Sequence, residues 1–255
     1  MGNIIMLSEF FLFSLALGLG FYSFLANTKE TGAGFLKVLV SICGASSLTA
    51  FGLHQTYGSL TDTQSLLYLF ATTLFTIVYF YHKDEKDFFT WTLYLFHNAT
   101  LVLLLKEMNN SNLEHFVFSL SSVMFLGSVT YAMIMGHWYL VTPRLSEKPL
   151  IYATYFMWFF LLIKLVWTVV GVTENLSFFD QFTREGGGYA FNWLMFSMRT
   201  VGGYFVLGIM SIFAYKLIKM RSIQSATGML YAMTFFIFIS ELISMFMFLN
   251  YGIYL

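Results

Sequence analysis

The chain has 255 residues, of which 58% are hydrophobic, 20% aromatic and only 10% charged. A soluble domain carries about 25% charged residues, so 13 basic and 13 acidic side chains are too few to cover a surface in water. We therefore predict an integral membrane protein. The net charge of zero argues against a nucleic-acid partner, because phosphate binding needs clustered Lys and Arg. The single cysteine, Cys43, has no partner for an internal disulfide.

Apolar stretches of about 18 to 25 residues recur along the chain, and each is long enough to cross a hydrocarbon core of about 30 Å. Eight such spans are predicted, with approximate bounds Ile4 to Ala26, Phe35 to Thr56, Ser65 to Tyr81, Phe88 to Leu105, Leu113 to Val141, Ile151 to Val172, Ala190 to Tyr215, and Ala226 to Asn250. No linker or change of composition divides the chain. We therefore predict an all-α, polytopic helical bundle that forms one membrane domain over residues 1–255.

The distribution of Lys and Arg predicts the orientation, because positive residues in short loops stay on the cytoplasmic side. Nine of the thirteen basic residues lie in or beside the connections that follow odd-numbered spans: Lys29, Lys37, Lys83, Lys86, Arg144, Lys148, Lys216, Lys219 and Arg221. Only Lys106 and Arg184 lie in the even-numbered connections. We therefore expect both termini to face outside, in a plasma membrane or a bacterial inner membrane.

Helix-breaking residues are scarce within the predicted spans. Both prolines, Pro143 and Pro149, fall in one connection, whereas alternating-access transporters commonly build their sites from helices interrupted at Pro or Gly. This pattern argues against a transporter. The pair Gly202 and Gly203 either interrupts the seventh span or lets a neighbouring helix approach closely, and close packing is the commoner role of small residues in membrane helices.

Three charged residues, Lys164, Arg199 and Glu241, fall deep inside spans, where each costs about 2.5 to 3.5 kcal/mol on insertion scales. They lie about eight or nine residues from the outer ends of spans six, seven and eight, which is a depth of roughly 12 to 14 Å. His97 in span four falls at the same depth, so we expect all four to converge on one site. Its formal charge of plus one would suit a haem propionate, a quinone oxygen or a lipid phosphate. The alternative is a buried ion pair that only fixes helix packing.

His54, His97 and His137 are candidate cofactor ligands, because imidazoles in helical bundles are the usual axial ligands of b-type haem. By helical rise, His54 lies roughly 10 Å nearer the outside than His97, and His137 lies near the other surface. The spacing therefore does not predict two ligands of one haem. The alternative for each histidine is a hydrogen bond to a neighbouring helix. No two histidines have the spacing of a zinc or copper site, so we expect no metal beyond a haem iron.

Three functions remain open, and no soluble-enzyme motif decides whether the chain is an enzyme. The first is a redox-linked subunit that holds a b-type haem or a quinone, with cofactor-binding candidates His97, His54, His137, Arg199 and Lys164. The second is an accessory or scaffold subunit of a larger membrane complex. The third is a protein that conducts protons or ions along a path through Glu241 and His97. The expected partners are the lipid bilayer and other membrane subunits.

Overall fold

The computed structural model describes residues 2–26, 28–81, 88–142 and 145–255, and every regular element within them is helical. The helices are α1 (Gly2–Tyr22), α2 (Thr28–His54), α3 (Thr63–Tyr81), α4 (Phe88–Met108), α5 (Leu113–Val141), α6 (Lys148–Glu174), α7 (Tyr189–Thr200), α8 (Leu207–Lys219) and α9 (Ile223–Tyr251). Short 3-10 helices follow α1 and α6, at Ser23–Leu25 and Leu176–Phe179. A π-helical segment, Val201–Val206, joins α7 to α8.

Within the described residues, eight helical spans are long and apolar enough to cross a membrane, with α7, the π segment and α8 forming one of them. This number and the all-α class confirm the prediction from sequence. The fifth span has the predicted bounds, and the seventh is longer than predicted, at Tyr189–Lys219. Large apolar side chains such as Phe80, Phe88 and Val166 are exposed on the outside of the bundle, which is the arrangement that lipid contact requires.

The first and last helices meet at one end of the bundle. The side-chain amide of Asn3 donates a hydrogen bond to Oδ1 of Asn250 at 2.5 Å, and we call this end the terminal end. The connection between α6 and α7 lies at the same end, whereas Lys216, Lys219 and Arg221 lie at the opposite end. Of the other basic residues that predicted the orientation, Lys83, Lys86 and Arg144 lie outside the described residues.

The central helix of the bundle is α5. Within its most apolar stretch 83% of the residues are buried, against 22% for α6, and α5 packs against α1, α6 and α9. A Cβ atom on Gly127 would lie 2.5 Å from the Cα atom of Gly18 in α1. Small residues of this kind let two membrane helices approach closely, so α1 and α5 are in backbone contact.

Replacing Gly127 by Ala should therefore destabilise the protein by about 1 to 3 kcal/mol, the usual cost of overpacking a well-packed interior. The matched control is Gly52→Ala in α2, where an added Cβ meets no heavy atom within 4 Å. That variant should be neutral or slightly more stable, because Ala is the better helix former. Unfolding of the purified proteins in detergent measures both effects. Equal stability of the two variants would contradict the close contact between α1 and α5.

Candidate functional site

Three of the four polar residues predicted to converge are brought together, from α6, α7 and α9. Arg199 donates from Nη1 to Oε1 of Glu241 at 2.8 Å and to Oγ of Ser240 at 2.5 Å. Its Nε donates to the hydroxyl of Tyr204 at 3.1 Å. Arg199 is fully buried and Glu241 is 2% exposed. The ion pair predicted as the structural alternative is therefore present between Arg199 and Glu241.

Lys164 lies in the same polar region but has no acidic partner. Its Nζ donates to the hydroxyls of Ser122 in α5, at 2.8 Å, and Ser244 in α9, at 3.0 Å. The ammonium also lies 3.7 Å from the centroid of the Phe118 ring. Among the described residues, no carboxylate oxygen lies within 4.0 Å of Nζ. With Lys164, Arg199 and Glu241 ionised, the group carries a formal charge of plus one.

We call Lys164, Arg199 and Glu241, with Ser122, Tyr204, Ser240 and Ser244, the charged cluster. Within it, the hydroxyl of Tyr204 also bonds Thr168 Oγ1 at 2.6 Å and donates to the carbonyl oxygen of Lys164 at 3.3 Å. Tyr204 thus connects the Arg199 side of the cluster to the backbone of α6. One network of hydrogen bonds therefore extends across four spans: α5, α6, the span formed by α7 and α8, and α9.

The π segment gives the charged cluster its shape. Gly203 faces α9 so closely that an added Cβ would overlap the Oγ of Ser240, whereas a Cβ on Gly202 would make an ordinary contact with Phe236. Close packing, the commoner role expected of this glycine pair, therefore applies to Gly203. The helix is not interrupted but is widened into π geometry, a feature that often occurs at functional sites in helices.

A small cavity of about 10 Å³ lies beside Glu241, between α1, α5 and α9. Ser14 of α1 and Ser122 of α5 line it together with Glu241. This volume is close to the least that a water molecule needs, about 10 to 15 Å³. Within the described part of the chain, Oε2 of Glu241 and Nη2 of Arg199 are buried without a hydrogen-bond partner. Each member of the ion pair thus keeps one unused polar atom.

His97 does not join the charged cluster, contrary to the prediction that four residues converge. Its Nδ1 lies 3.2 Å from the carbonyl oxygen of Ala71 in α3, and the Phe75 ring contacts the imidazole at 3.5 Å between centroids, with the ring planes tilted by 49°. Helical rise gives the depth of a residue but not the neighbour that it faces, which explains the error. The Nε2 atom of His97 is buried and has no partner among the described residues.

The other two candidate histidines are hydrogen-bonded within the protein. His137 is exposed near the opposite end, and its Nδ1 bonds the hydroxyl of Tyr231 at 2.7 Å. His54 is 3% exposed, and both of its ring nitrogens face carboxylates: Nδ1 lies 3.1 Å from Glu9 and Nε2 lies 3.2 Å from Asp62. In this arrangement neither nitrogen of His54 is free to ligate iron.

The carboxylates around His54 belong to a second polar group near the terminal end, which the sequence did not predict. Glu9 of α1 is fully buried and accepts hydrogen bonds from the hydroxyls of Tyr57 and Tyr68, the latter at 3.1 Å. We call Glu9, His54, Tyr57, Asp62 and Tyr68 the Glu9 cluster. A signal was available in the sequence, because Glu9 is a charged residue within the first predicted span and His54 lies near the outer end of the second.

Two members of the Glu9 cluster lie in the connection between α2 and α3. Burial raises the pKa of Asp62, but hydrogen bonds from the backbone N–H groups of Ser65 and Ser59 outweigh it and lower that pKa to about 2. Asp62 is therefore an anion near neutral pH. Burial and the bond to Glu9 both raise the pKa of Tyr57 above its ordinary value. Tyr57 therefore keeps its proton near neutral pH and donates a hydrogen bond to Glu9.

No protein-family model, no curated protein and no solved structure matches this chain. Function is therefore inferred from the two buried clusters, their hydrogen bonds and the cavities beside them.

Proposed function

We propose that this multi-pass membrane protein transfers protons through the charged cluster, with Glu241 and Lys164 as the groups that take up and release them. The observation that carries the proposal is the buried, unpartnered Oε2 of Glu241, in a residue that lines a cavity with Ser14 and Ser122. Ionisable residues inside a membrane protein are costly to keep, and they commonly mark proton relays.

The hydrogen bonds around Lys164 support the same proposal. Ser122 accepts from Lys164 and also lines the cavity at Glu241, so a hydroxyl stands between the two ionisable groups. A hydroxyl can accept one proton while it donates another. Lys164 is fully buried, and among the described residues no carboxylate oxygen lies within 4.0 Å of its Nζ, so releasing its proton removes a buried charge that has no direct ion-pair partner there.

The orientation completes the proposal. The excess of Lys and Arg beside the odd-numbered connections supports a cytoplasmic position for the opposite end. The termini and the Glu9 cluster then face the outside, in a plasma membrane or a bacterial inner membrane. Proton transfer through the charged cluster would then run between the outside and the cytoplasmic side.

A flux measurement on Lys164→Met tests the proposal. Protein in liposomes with a trapped pH-sensitive dye should carry protons faster than protein-free liposomes when a membrane potential is imposed. Lys164→Met should lower that flux by about 100-fold, the lower range of what a positioned proton-transfer group contributes. The matched control is Lys216→Met, an exposed lysine at the opposite end, which should conduct normally. Equal flux in both variants would point instead to a scaffold subunit whose charges serve packing alone.

A redox-linked subunit is the second candidate, and the unpartnered Nε2 of His97 favours it. With its proton on Nδ1 towards Ala71, the imidazole offers the lone pair of Nε2 to a haem iron or to the hydroxyl of a reduced quinone, a quinol. The fit is incomplete, because the Phe75 ring packs against the imidazole and would have to move. The absorption spectrum of the purified protein, with extraction for quinones, tests this candidate. A spectrum without a Soret band and an extract without quinone would exclude it.

A further inference from the structure

A larger pocket opens at the terminal end, beside the Glu9 cluster. Its volume is about 370 Å³, within the range of small-molecule sites. Phe10, Tyr57, Asn109, His115 and Phe248 are among the residues that line it. Tyr57 is 48% exposed, and its hydroxyl donates to Oε2 of Glu9. Tyr57 therefore connects the pocket to a carboxylate that is itself fully buried.

One residue lines both this pocket and the small cavity at Glu241. Phe10 is the next residue after Glu9 in α1, is 5% exposed, and lines both the pocket and the cavity. No other residue named in the lining of the two spaces is shared between them. Phe10 is therefore common to a space at the terminal end and to the cavity that Glu241 lines.

We propose that the Glu9 cluster is the site at which protons are loaded from the terminal end, and that the ring of Phe10 is the gate between this site and Glu241. The proposal rests on the proposed function for its ligand, the proton. The position of the gate depends only on which residues line the pocket and the cavity.

Loading moves one proton from the pocket to Glu9 through Tyr57. The O–H bond of Tyr57 breaks as its proton moves to Oε2 of Glu9, where a new O–H bond forms. In the same step the Tyr57 oxygen takes a proton from a hydronium ion in the pocket, which leaves as water, so Tyr57 stays protonated throughout. The titratable groups that face Glu9 are His54, Tyr57 and Tyr68, and Asp62 faces His54 from the far side. Rotation of Phe10 then opens the way to Glu241.

Two measurements test the proposal on the full-length chain. The first tests the gate by the rate of thiol labelling and does not depend on proton transfer. Ser14→Cys is made in a Cys43→Ala background, which removes the one native cysteine. Position 14 lines the inner cavity, so a water-soluble thiol reagent should label it slowly. Adding Phe10→Ala joins the two spaces and should speed labelling by about tenfold, because labelling follows the population of the open form.

The control for labelling is Phe11→Ala. Phe11 lines the inner cavity but not the pocket, so this variant loses the same side-chain volume without joining the spaces. Its labelling should stay slow. Equal labelling of the Phe10→Ala and Phe11→Ala proteins, or no change with either, overturns the gate. Phe10→Leu keeps most of the packing and should give an intermediate rate, which excludes unfolding as the cause.

The second measurement tests the loading site by the rate of proton flux. Tyr57→Phe removes the hydroxyl that reaches Glu9 and should lower flux by about 100-fold, with labelling at position 14 unchanged. Tyr231→Phe, which removes an exposed hydroxyl bonded to His137 at the opposite end, is the control and should conduct normally. Unchanged flux in Tyr57→Phe overturns the loading site. Absence of flux in the wild-type protein contradicts the proposed function instead, while the labelling result still decides the gate.

Discussion

Glu241→Leu is expected to destabilise the protein by about 3 to 5 kcal/mol, the usual effect of removing one partner of a buried ion pair. The substitution leaves Arg199 and Lys164 buried with no carboxylate beside them, so the formal charge of the cluster rises from plus one to plus two. The guanidinium would keep only its bonds to Ser240 and Tyr204. Unfolding in detergent, followed by circular dichroism, measures the loss.

Removing Arg199 from the same chain should restore much of this stability. In Arg199→Met with Glu241→Leu the formal charge returns to plus one, and replacing both members of a buried pair by apolar residues is often neutral or stabilising. The control is Glu147→Leu, whose ion pair with Arg221 lies on the surface and should contribute about 0 to 1 kcal/mol. A double variant as unstable as Glu241→Leu would show that the ion pair does not account for the loss.

Glu241→Gln is expected to lower proton flux by about 100-fold or more while the fold is kept. The amide oxygen still accepts from Nη1 of Arg199, but the side chain no longer binds or releases a proton in the physiological range. The helical content and the elution volume of the purified variant should match the wild-type protein. This combination separates a role in proton transfer from a role in packing.

The acid-to-amide control for that flux is Glu147→Gln. Glu147 precedes α6 at the opposite end and is partly exposed beside Arg221, outside both clusters. Its variant should conduct at the wild-type rate. If Glu241→Gln also conducts at that rate, a relay through Glu241 is contradicted and the ion pair has only a structural role.

The spans were predictable because length and apolar composition alone decide whether a helix can cross a bilayer. Their ends were less predictable, since the last turns of a span lie among polar headgroups. The seventh span continues from Tyr215 to Lys219, because a lysine can extend its charged end to the interface. The π segment was not predicted, and the pair Gly202 and Gly203 was the only indication of close packing there.

The convergence of Lys164, Arg199 and Glu241 was predictable from depth, because charges inside a membrane must face protein. The partners of Lys164 were not, since Ser122 and Ser244 resemble the many other hydroxyls on their helices. The Glu9 cluster was missed for a different reason. Tyr57 and Asp62 lie in the connection between α2 and α3, and a connection has no helical periodicity from which the positions of its side chains can be predicted. Both clusters are needed for the account of proton transfer.

Infrared difference spectroscopy across a pH change tests most directly whether Glu241 takes up and releases a proton. On acidification of the wild-type protein, a carboxylate signal should decrease and a protonated-carboxyl band should appear from a buried group. The part of that band that comes from Glu241 should remain in Glu147→Gln and be lost in Glu241→Gln, while the part that comes from the buried Glu9 should remain in both. Identical difference spectra for the wild-type protein and Glu241→Gln would contradict proton transfer through this residue.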